Sequence, residues 1–396
     1  MSTSSATTVA DAELREAVAA LLAEATRTAL ARVPQVAPTR AGTPGAQALV
    51  AHRGRVVAHA WDGHAVLHDP DGGLLPVAQR EPVTARTRWD IASLTKLLTA
   101  TTALVQHDAG TIDLDAPVVE HLPAFAGDGE PERRAVTVRH LLTHTAGLPP
   151  VTALWEVPPA RRAGRVLTEP ITARPGRRHV YSCVGHLVLG LLLTEVTGRD
   201  LPSLVGATVT GPLGMASTSW TPAPGAPVAA TEYQDQPPRG LVRGEVHDET
   251  AWALGGAGNA GAFSTAEDLL RLAEEVRTGA GGLLRPESRA LLRTGTLPAE
   301  EARRVGFDQA VGLRVGGRGP AVTGGPELLW HAGFTGTLLA VDLDRDTVVV
   351  LLTNRVHPRR RAFDVDPLRR ALVTAAQGWA QGRTNSARTR ATSIRE

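Results

Sequence analysis

One cysteine, two tyrosines, two methionines and five phenylalanines in 396 residues leave the chain short of several side chains that commonly carry chemistry. The lone Cys183 excludes an intramolecular disulfide and a metal site built on cysteines. No apolar run approaches the roughly 20 residues that a membrane-crossing helix needs. Neither sign of charge is in excess: 42 Lys and Arg against 40 Asp and Glu are interspersed, so no broad basic face invites nucleic acid. The opening Met1-Ser2-Thr3-Ser4-Ser5 precedes an Ala-rich segment carrying Glu13, Arg15, Glu16, Glu24 and Arg27. That pattern lacks the basic and then apolar regions of a secretory signal, and a cytoplasmic location is expected. Lysine is scarcer than any of these aromatics, for among the 42 basic positions there is only Lys96.

Arginine keeps its proton at any accessible pH and cannot serve as a base. Lysine can, once burial or a neighbouring charge lowers its pKa. Lys96 follows Ser93 by three residues in Asp90-Ile91-Ala92-Ser93-Leu94-Thr95-Lys96. On a helix, that spacing brings hydroxyl and amine to one face, as for a nucleophile beside its base. The spacing fits a surface lysine on an amphipathic helix equally well, so the pair alone does not decide.

Apolar periodicity predicts a helix over residues 10–33, with Leu14, Val18, Leu21 and Leu22 on one side. Strands at 47–51 and 56–61 flank His52-Arg53-Gly54-Arg55 and read as a hairpin turning near Gly54. Helices are expected from Ser93 to Ala109, Thr137 to His144, Ser182 to Thr197 and Thr265 to Thr278, with Gly110, Gly147 and Gly198 as stops. Pro-rich loops at 147–160 and 221–240 are of the length that often faces substrate. Strand character returns at 310–315, 328–331, 337–343 and 347–353, before a closing helix over 366–381. This order predicts a sheet domain made from residues 1–92 and 305–382, a helical domain inserted at 93–304, and a flexible Arg-rich tail at 383–396.

Three motifs occur in sequence: Ser93-Leu94-Thr95-Lys96, Tyr181-Ser182-Cys183 and His331-Ala332-Gly333. Their order and spacing resemble the serine β-lactamase and penicillin-binding-protein superfamily, in particular its class C β-lactamase, DD-peptidase and esterase branch. Thr137 to Pro149, Gly244 to Glu249 and Leu352-Thr353-Asn354-Arg355 are similar to further segments of that branch, and the likeness spans roughly residues 45 to 380. The resemblance implies an α+β fold of the β-lactamase/transpeptidase type: an antiparallel sheet flanked by N- and C-terminal helices, with a mostly helical domain inserted.

It also implies a mechanism. Ser93 would attack an ester or amide carbonyl and form an acyl-enzyme, Lys96 would take or relay its proton, and Tyr181 could pass that proton to the leaving group. The oxyanion hole would use the backbone N–H groups of Ser93 and Phe334. Cys183, His331, Ala332 and Gly333 would line the substrate site, Gly333 because a side chain there would block the approach to the strand. Taken singly, Tyr181 also fits a buried structural tyrosine, His331 an edge-strand surface residue, and Cys183 a small buried hydrophobe. Many relatives carry Lys-Thr-Gly as the third motif, to grip a substrate carboxylate. Ala332 lacks that hydroxyl and His331 is only partly charged at neutral pH, which favours esterase-like chemistry.

Other patterns carry less. Gly256-Ala257-Gly258-Asn259-Ala260-Gly261 matches the dinucleotide-binding G-x-G-x-x-G, but no buried strand precedes it, and it reads as a glycine-rich loop. His140 and His144 share an expected helix face without the glutamate of a zinc protease, and His247-Asp248-Glu249 places its side chains side by side. No metal and no cofactor are expected. A G-x-S-x-G elbow is absent. The expectation is a serine hydrolase acting through an acyl-enzyme on a small ester or amide, without nucleic-acid or membrane partners and with its oligomeric state open. The alternatives are a transacylase passing the acyl group to an amine or alcohol, a DD-carboxypeptidase or β-lactamase, and a non-catalytic binding domain.

Overall fold

Two strands that alternate between buried faces begin the sheet. β1 (Gly45–His52) and β2 (Arg55–Val66) pair antiparallel through a tight turn in which Arg53 and Gly54 both take positive φ, at 52° and 77°. The computed structural model describes residues 9–33, 39–127 and 131–393, so Met1 to Ser5 and residues 394–396 of the expected tail lie outside it. Near the C-terminus follow β3 (Arg314–Arg318), β4 (Thr323–Ala332), β5 (Leu338–Asp342) and β6 (Thr347–Thr353). Among the described residues eight strands form one sheet in the order Glu81–Pro82, β2, β1, β6, β5, β4, β3, Asp308–Gln309. Every neighbouring pair is antiparallel. The two ends of the chain meet at its centre, where β6 pairs with β1 from Thr347 opposite His52 to Thr353 opposite Ala46.

Helices cover both faces, and the central strands are buried throughout. In β6, Val348, Val350 and Leu352 belong to one apolar cluster and Val349 and Leu351 to the other, as a two-residue side-chain period requires. The second cluster is closed by α1 (Val9–Arg27), through Leu14, Val18 and Leu22, and by the C-terminal helix, through Leu372, Val373 and Ala376. α1 stops before residue 33 because Val33 donates its N–H to Gly72 O at 2.8 Å, which draws the chain off the helix axis.

The opposite face carries α2 (Thr95–Asp108), α3 (Val138–Leu142), α4 (Cys183–Thr197) and α5 (Ala266–Thr278). Their starts follow cap chemistry: Thr137, Ser182 and Thr265 accept N–H bonds as N-caps, and Gly198 and Gly279 close helices in the left-handed region. α6 (Asp366–Ser393) runs past its expected end at 381; it contains no glycine or proline after Gly382, and Arg383 ion-pairs with the buried Asp11 at 2.8 Å. The strand expected from Ala310 begins only at Arg314, because residues 310–313 form a turn closed by Ala310 N–H to Leu313 O at 2.8 Å.

Asn354 joins β6 to the opening hairpin. Its Oδ1 accepts the Gly45 N–H at 2.8 Å, and its Nδ2 donates to His64 O and Ala65 O at 3.2 and 3.1 Å. Truncation would leave the buried Gly45 N–H without its acceptor and take a donor from His64 O and Ala65 O, the latter keeping the Ala230 N–H at 2.9 Å. Asn354→Ala is expected to lower unfolding free energy by about 2–3 kcal/mol, read from urea denaturation, whereas a change within ~0.5 kcal/mol would contradict this account.

Candidate functional site

Ser93 sits in a one-turn 3₁₀ segment, Ala92–Leu94, and not in the α-helix expected from that residue. Ala92 takes φ 47°, uncommon for a residue with a side chain, and Asp90 Oδ1 caps its N–H at 2.8 Å. α2 then begins at Thr95 and places Lys96 in its first turn, fully buried. Lys96 Nζ donates to Ser93 Oγ at 3.1 Å, to Asn259 O at 2.9 Å and to Cys183 Sγ at 3.5 Å. Three donors thus find three acceptors from separate parts of the chain.

Burial opposes the charge on Lys96, but the nearby Cys183 and Tyr181 side chains, then Asp248, outweigh it and raise its pKa above that of an ordinary lysine. The direction is opposite to that expected for a free amine base. Asn259 belongs to the glycine-rich loop, which is held on α2 by Thr99 Oγ1 donating to Gly258 O at 3.0 Å. Asp248 accepts from Asn259 Nδ2 at 3.2 Å, and so supports the carbonyl that meets Lys96.

The third motif ends β4 beside this turn. Thr335 Oγ1 donates to Asp90 O at 2.8 Å and Thr337 Oγ1 to Ile91 O at 3.0 Å, stitching the loop after Gly333 to the segment before Ser93. A Cβ at Gly333 would overlap Thr337 Oγ1 and sit 2.7 Å from Ile91 O. The glycine is therefore required by these contacts, and it also lines the cleft into which the substrate approach was expected. The Phe334 N–H has no protein acceptor among the described residues. The Phe334 ring is 47% exposed, stacked on His247 at 5.7 Å and on the Arg355 guanidinium at 4.8 Å.

Ser93, Tyr181, Cys183, Ala332, Gly333 and Phe334 all line one cleft of about 580 Å³. Lys96 lies beneath it. His331 does not line it: the ring is 1% exposed, 6.0 Å from that of Tyr181, with Nδ1 unpartnered. Its expected contact with substrate is thereby replaced by a place behind Tyr181, since the pleat of β4 turns alternate side chains inward. The Tyr181 ring centroid is 5.0 Å from Lys96 Nζ. His144 packs on that ring at 4.5 Å and on His186 at 4.8 Å. His144 does not share a helix face with His140, because it lies beyond α3 at φ 57°, with Nδ1 accepting the Ser182 N–H at 3.1 Å. The glycine-like backbone turn that puts His144 against Tyr181 has no signature in a single sequence.

Arg314 also lines the cleft, and sequence gave no sign of it. Its guanidinium is stacked among Tyr181, Phe307 and Trp330 at 5.4, 4.7 and 4.7 Å. Its Nε lacks a hydrogen-bond partner, and among the described residues no carboxylate lies within ion-pair distance. Burial lowers its pKa from the usual arginine value.

Residues 14–374 match the family model described as Beta-lactamase, more than nine-tenths of the chain. The chain belongs to the beta-lactamase family. Among relatives of this beta-lactamase-family enzyme, the putative D-alanyl-D-alanine carboxypeptidase of Salmonella typhimurium is 28% identical, with 86% of each chain covered. The solved structure of EstCE1, described as a hydrolase with promiscuous acyltransferase activity, superposes with a TM-score of 0.72 at 24% identity over 93% of this chain and all of that one. A LovD6 mutant of simvastatin synthase from Aspergillus terreus gives 0.69 at 19% identity, over 96% and 100%. Both structural likenesses share the β-lactamase/transpeptidase-like fold, and the enzyme is a member of the serine β-lactamase and penicillin-binding-protein superfamily.

The imidazoles packed behind Tyr181 set a pH dependence. Burial first, then the positive charge of Lys96 or Arg314 and neighbouring imidazoles, holds His144, His186 and His331 far below the usual histidine range. Burial lowers His179 to about 4 against the opposing effect of its bond to Gln309. The unfolded chain takes up these protons near pH 6.5 and the folded one does not, so stability is fully present above 6.5 and is lost as pH falls toward 4. Urea midpoints are expected to decrease from pH 7 to pH 5, with each such imidazole adding up to about 1.4 kcal/mol per pH unit within its window. His179→Gln should flatten that slope; an unchanged slope would refute the assignment.

Proposed function

We propose that Ser93 is the nucleophile of a serine hydrolase that acts on a small ester through an acyl-enzyme, within the class C branch of the superfamily. The observation that carries this reading is the 3.1 Å bond between Ser93 Oγ and Lys96 Nζ at the floor of a cleft that also holds Tyr181 and the free Phe334 N–H. Lys96 and Tyr181, whose ring centroid lies 5.0 Å from Lys96 Nζ, form the proton relay: they take the Ser93 proton as the carbonyl is attacked and return it to the leaving alcohol. The Ser93 and Phe334 N–H groups receive the negative charge that develops on the carbonyl oxygen. Cys183 lines the site and fixes the Lys96 ammonium, and is not the attacking atom.

Arg314 favours a second reading alongside the first. A half-buried guanidinium without a carboxylate partner in the same cleft suits a substrate that brings its own anion. It supplies the cation that His331-Ala332-Gly333 lacks, so the carboxylate-bearing substrates of a DD-carboxypeptidase, or of a transacylase with an anionic acyl group or acceptor, regain support. The name of the Salmonella relative agrees with the former and that of EstCE1 with hydrolysis and transfer together.

A fluorophosphonate is expected to label Ser93, located by peptide mass, and Ser93→Ala to lose the label. Lys96→Arg keeps the charge but holds its protons too tightly to relay one, so ester turnover should fall about 10²–10⁴-fold; turnover near the wild-type rate would exclude Lys96 from proton transfer. For Arg314, p-nitrophenyl esters with and without an acyl-chain carboxylate should separate the readings. Arg314→Met is expected to raise KM about tenfold or more for the anionic ester alone, the usual loss of one charge-assisted contact. Equal effects on both esters would remove the anion site.

A further inference from the structure

Arg369, on the first turns of α6, touches neither Ser93 nor Lys96, yet it bonds to the peptide unit that carries the proposed oxyanion donor. Its Nη2 donates to Gly333 O at 2.6 Å and to Thr337 O at 2.9 Å, while Nη1 donates to Asp366 Oδ1 at 2.8 Å. The residue is 7% exposed. Gly333 O and the Phe334 N–H are opposite ends of one planar trans peptide, so what happens at the oxygen is felt at the nitrogen. A cation on that oxygen favours the resonance form with a C–N double bond and a more positive N–H. It also prevents the peptide from rotating.

We infer that Arg369 is a positioning residue for the oxyanion hole: its guanidinium polarises and orients the Gly333–Phe334 peptide so that the Phe334 N–H is a stronger donor to the developing oxyanion. Three contacts support the orientation. Gly333 N–H donates to Thr337 O at 2.9 Å, so the carbonyl that Arg369 also holds pins the other side of Gly333. Arg355 Nε donates to Phe334 O at 2.8 Å and fixes the next peptide. The Thr335 and Thr337 hydroxyls bind the backbone before Ser93, so both proposed N–H donors are held in one frame. The alternative, that Arg369 only fastens α6 to the sheet, requires no effect on the acyl carbonyl.

The inference rests on the acyl-Ser93 reading, and the experiment separates the two. Wild type and Arg369→Gln are acylated in single turnover with p-nitrophenyl acetate carrying ¹³C at the carbonyl, followed by intact mass and by infrared difference spectra. A stronger hydrogen bond to the ester oxygen lowers its stretching frequency. Arg369→Gln is therefore expected to shift the acyl-enzyme band to higher wavenumber and to lower kcat about tenfold with KM little changed, a part of the 10²–10³-fold loss that follows removal of an oxyanion donor. A folded, acylated Arg369→Gln whose band coincides with that of wild type overturns the role of Arg369 and leaves the acyl-enzyme standing. No acyl adduct in wild type removes both. Should Arg369→Gln fail to fold, Arg369→Lys takes its place, since one ammonium cannot span both carbonyls while holding Asp366. The same upward shift is expected of it, and an unchanged band is equally decisive.

Discussion

A fully buried ammonium is the constraint around which this structure is arranged. Lys96 could not be desolvated without partners for each of its three protons, and those partners come from Ser93, from Cys183 at the start of α4 and from the Asn259 carbonyl. The glycine-rich loop must therefore close on α2, which only glycine allows at position 258, where a Cβ would overlap the His186 carbonyl. Satisfying one cation thus fixes the relative placement of α2, α4 and the loop, and with them the serine. Function and folding place the same demand on these segments.

Much of the frame was legible in sequence, for local reasons. Caps at Thr137, Ser182 and Thr265 and the stop at Gly198 are short-range chemistry, and the structure places helix ends where they occur. The apolar run within 347–353 and the turn at Gly54 likewise act within a few residues. The departures have long-range causes: Val33 leaves its helix for Gly72, and Arg383 is held by Asp11 across the fold. Ser93 falls in a 3₁₀ turn because Asp90 and the loop after Gly333 anchor the chain just before it. None of these partners lies within a window that a periodicity can sample.

The site divides along a compositional line. With 42 basic residues and one lysine, Lys96 was conspicuous and every arginine was anonymous. The bias that exposed the proposed proton-transfer residue concealed Arg314 and Arg369, which line the same cleft. Histidine was misleading in a different way. His331 drew attention through its motif position, whereas the imidazoles packed deeper around Tyr181, His144 among them, depend on a left-handed backbone at a non-glycine residue.

The three cations around the cleft differ in how completely the protein satisfies them, and that difference orders their roles. Lys96 has an acceptor for every proton, the Ser93 hydroxyl among them. Arg369 places its two Nη groups on Asp366 and two carbonyls, one of which belongs to the Gly333–Phe334 peptide, while its Nε too is unbonded, so in the proposed role its charge acts only through the backbone. Arg314 is held by aromatic faces that stabilise a cation without neutralising it, and its Nε remains unbonded. A half-buried guanidinium left incompletely bonded costs the fold some stability, which the proposed anion would offset. An esterase for neutral substrates gains nothing from such a residue at the cleft wall. The unsatisfied arginine is therefore a stronger guide to the substrate's charge than the third motif, whose missing lysine and threonine pointed the other way.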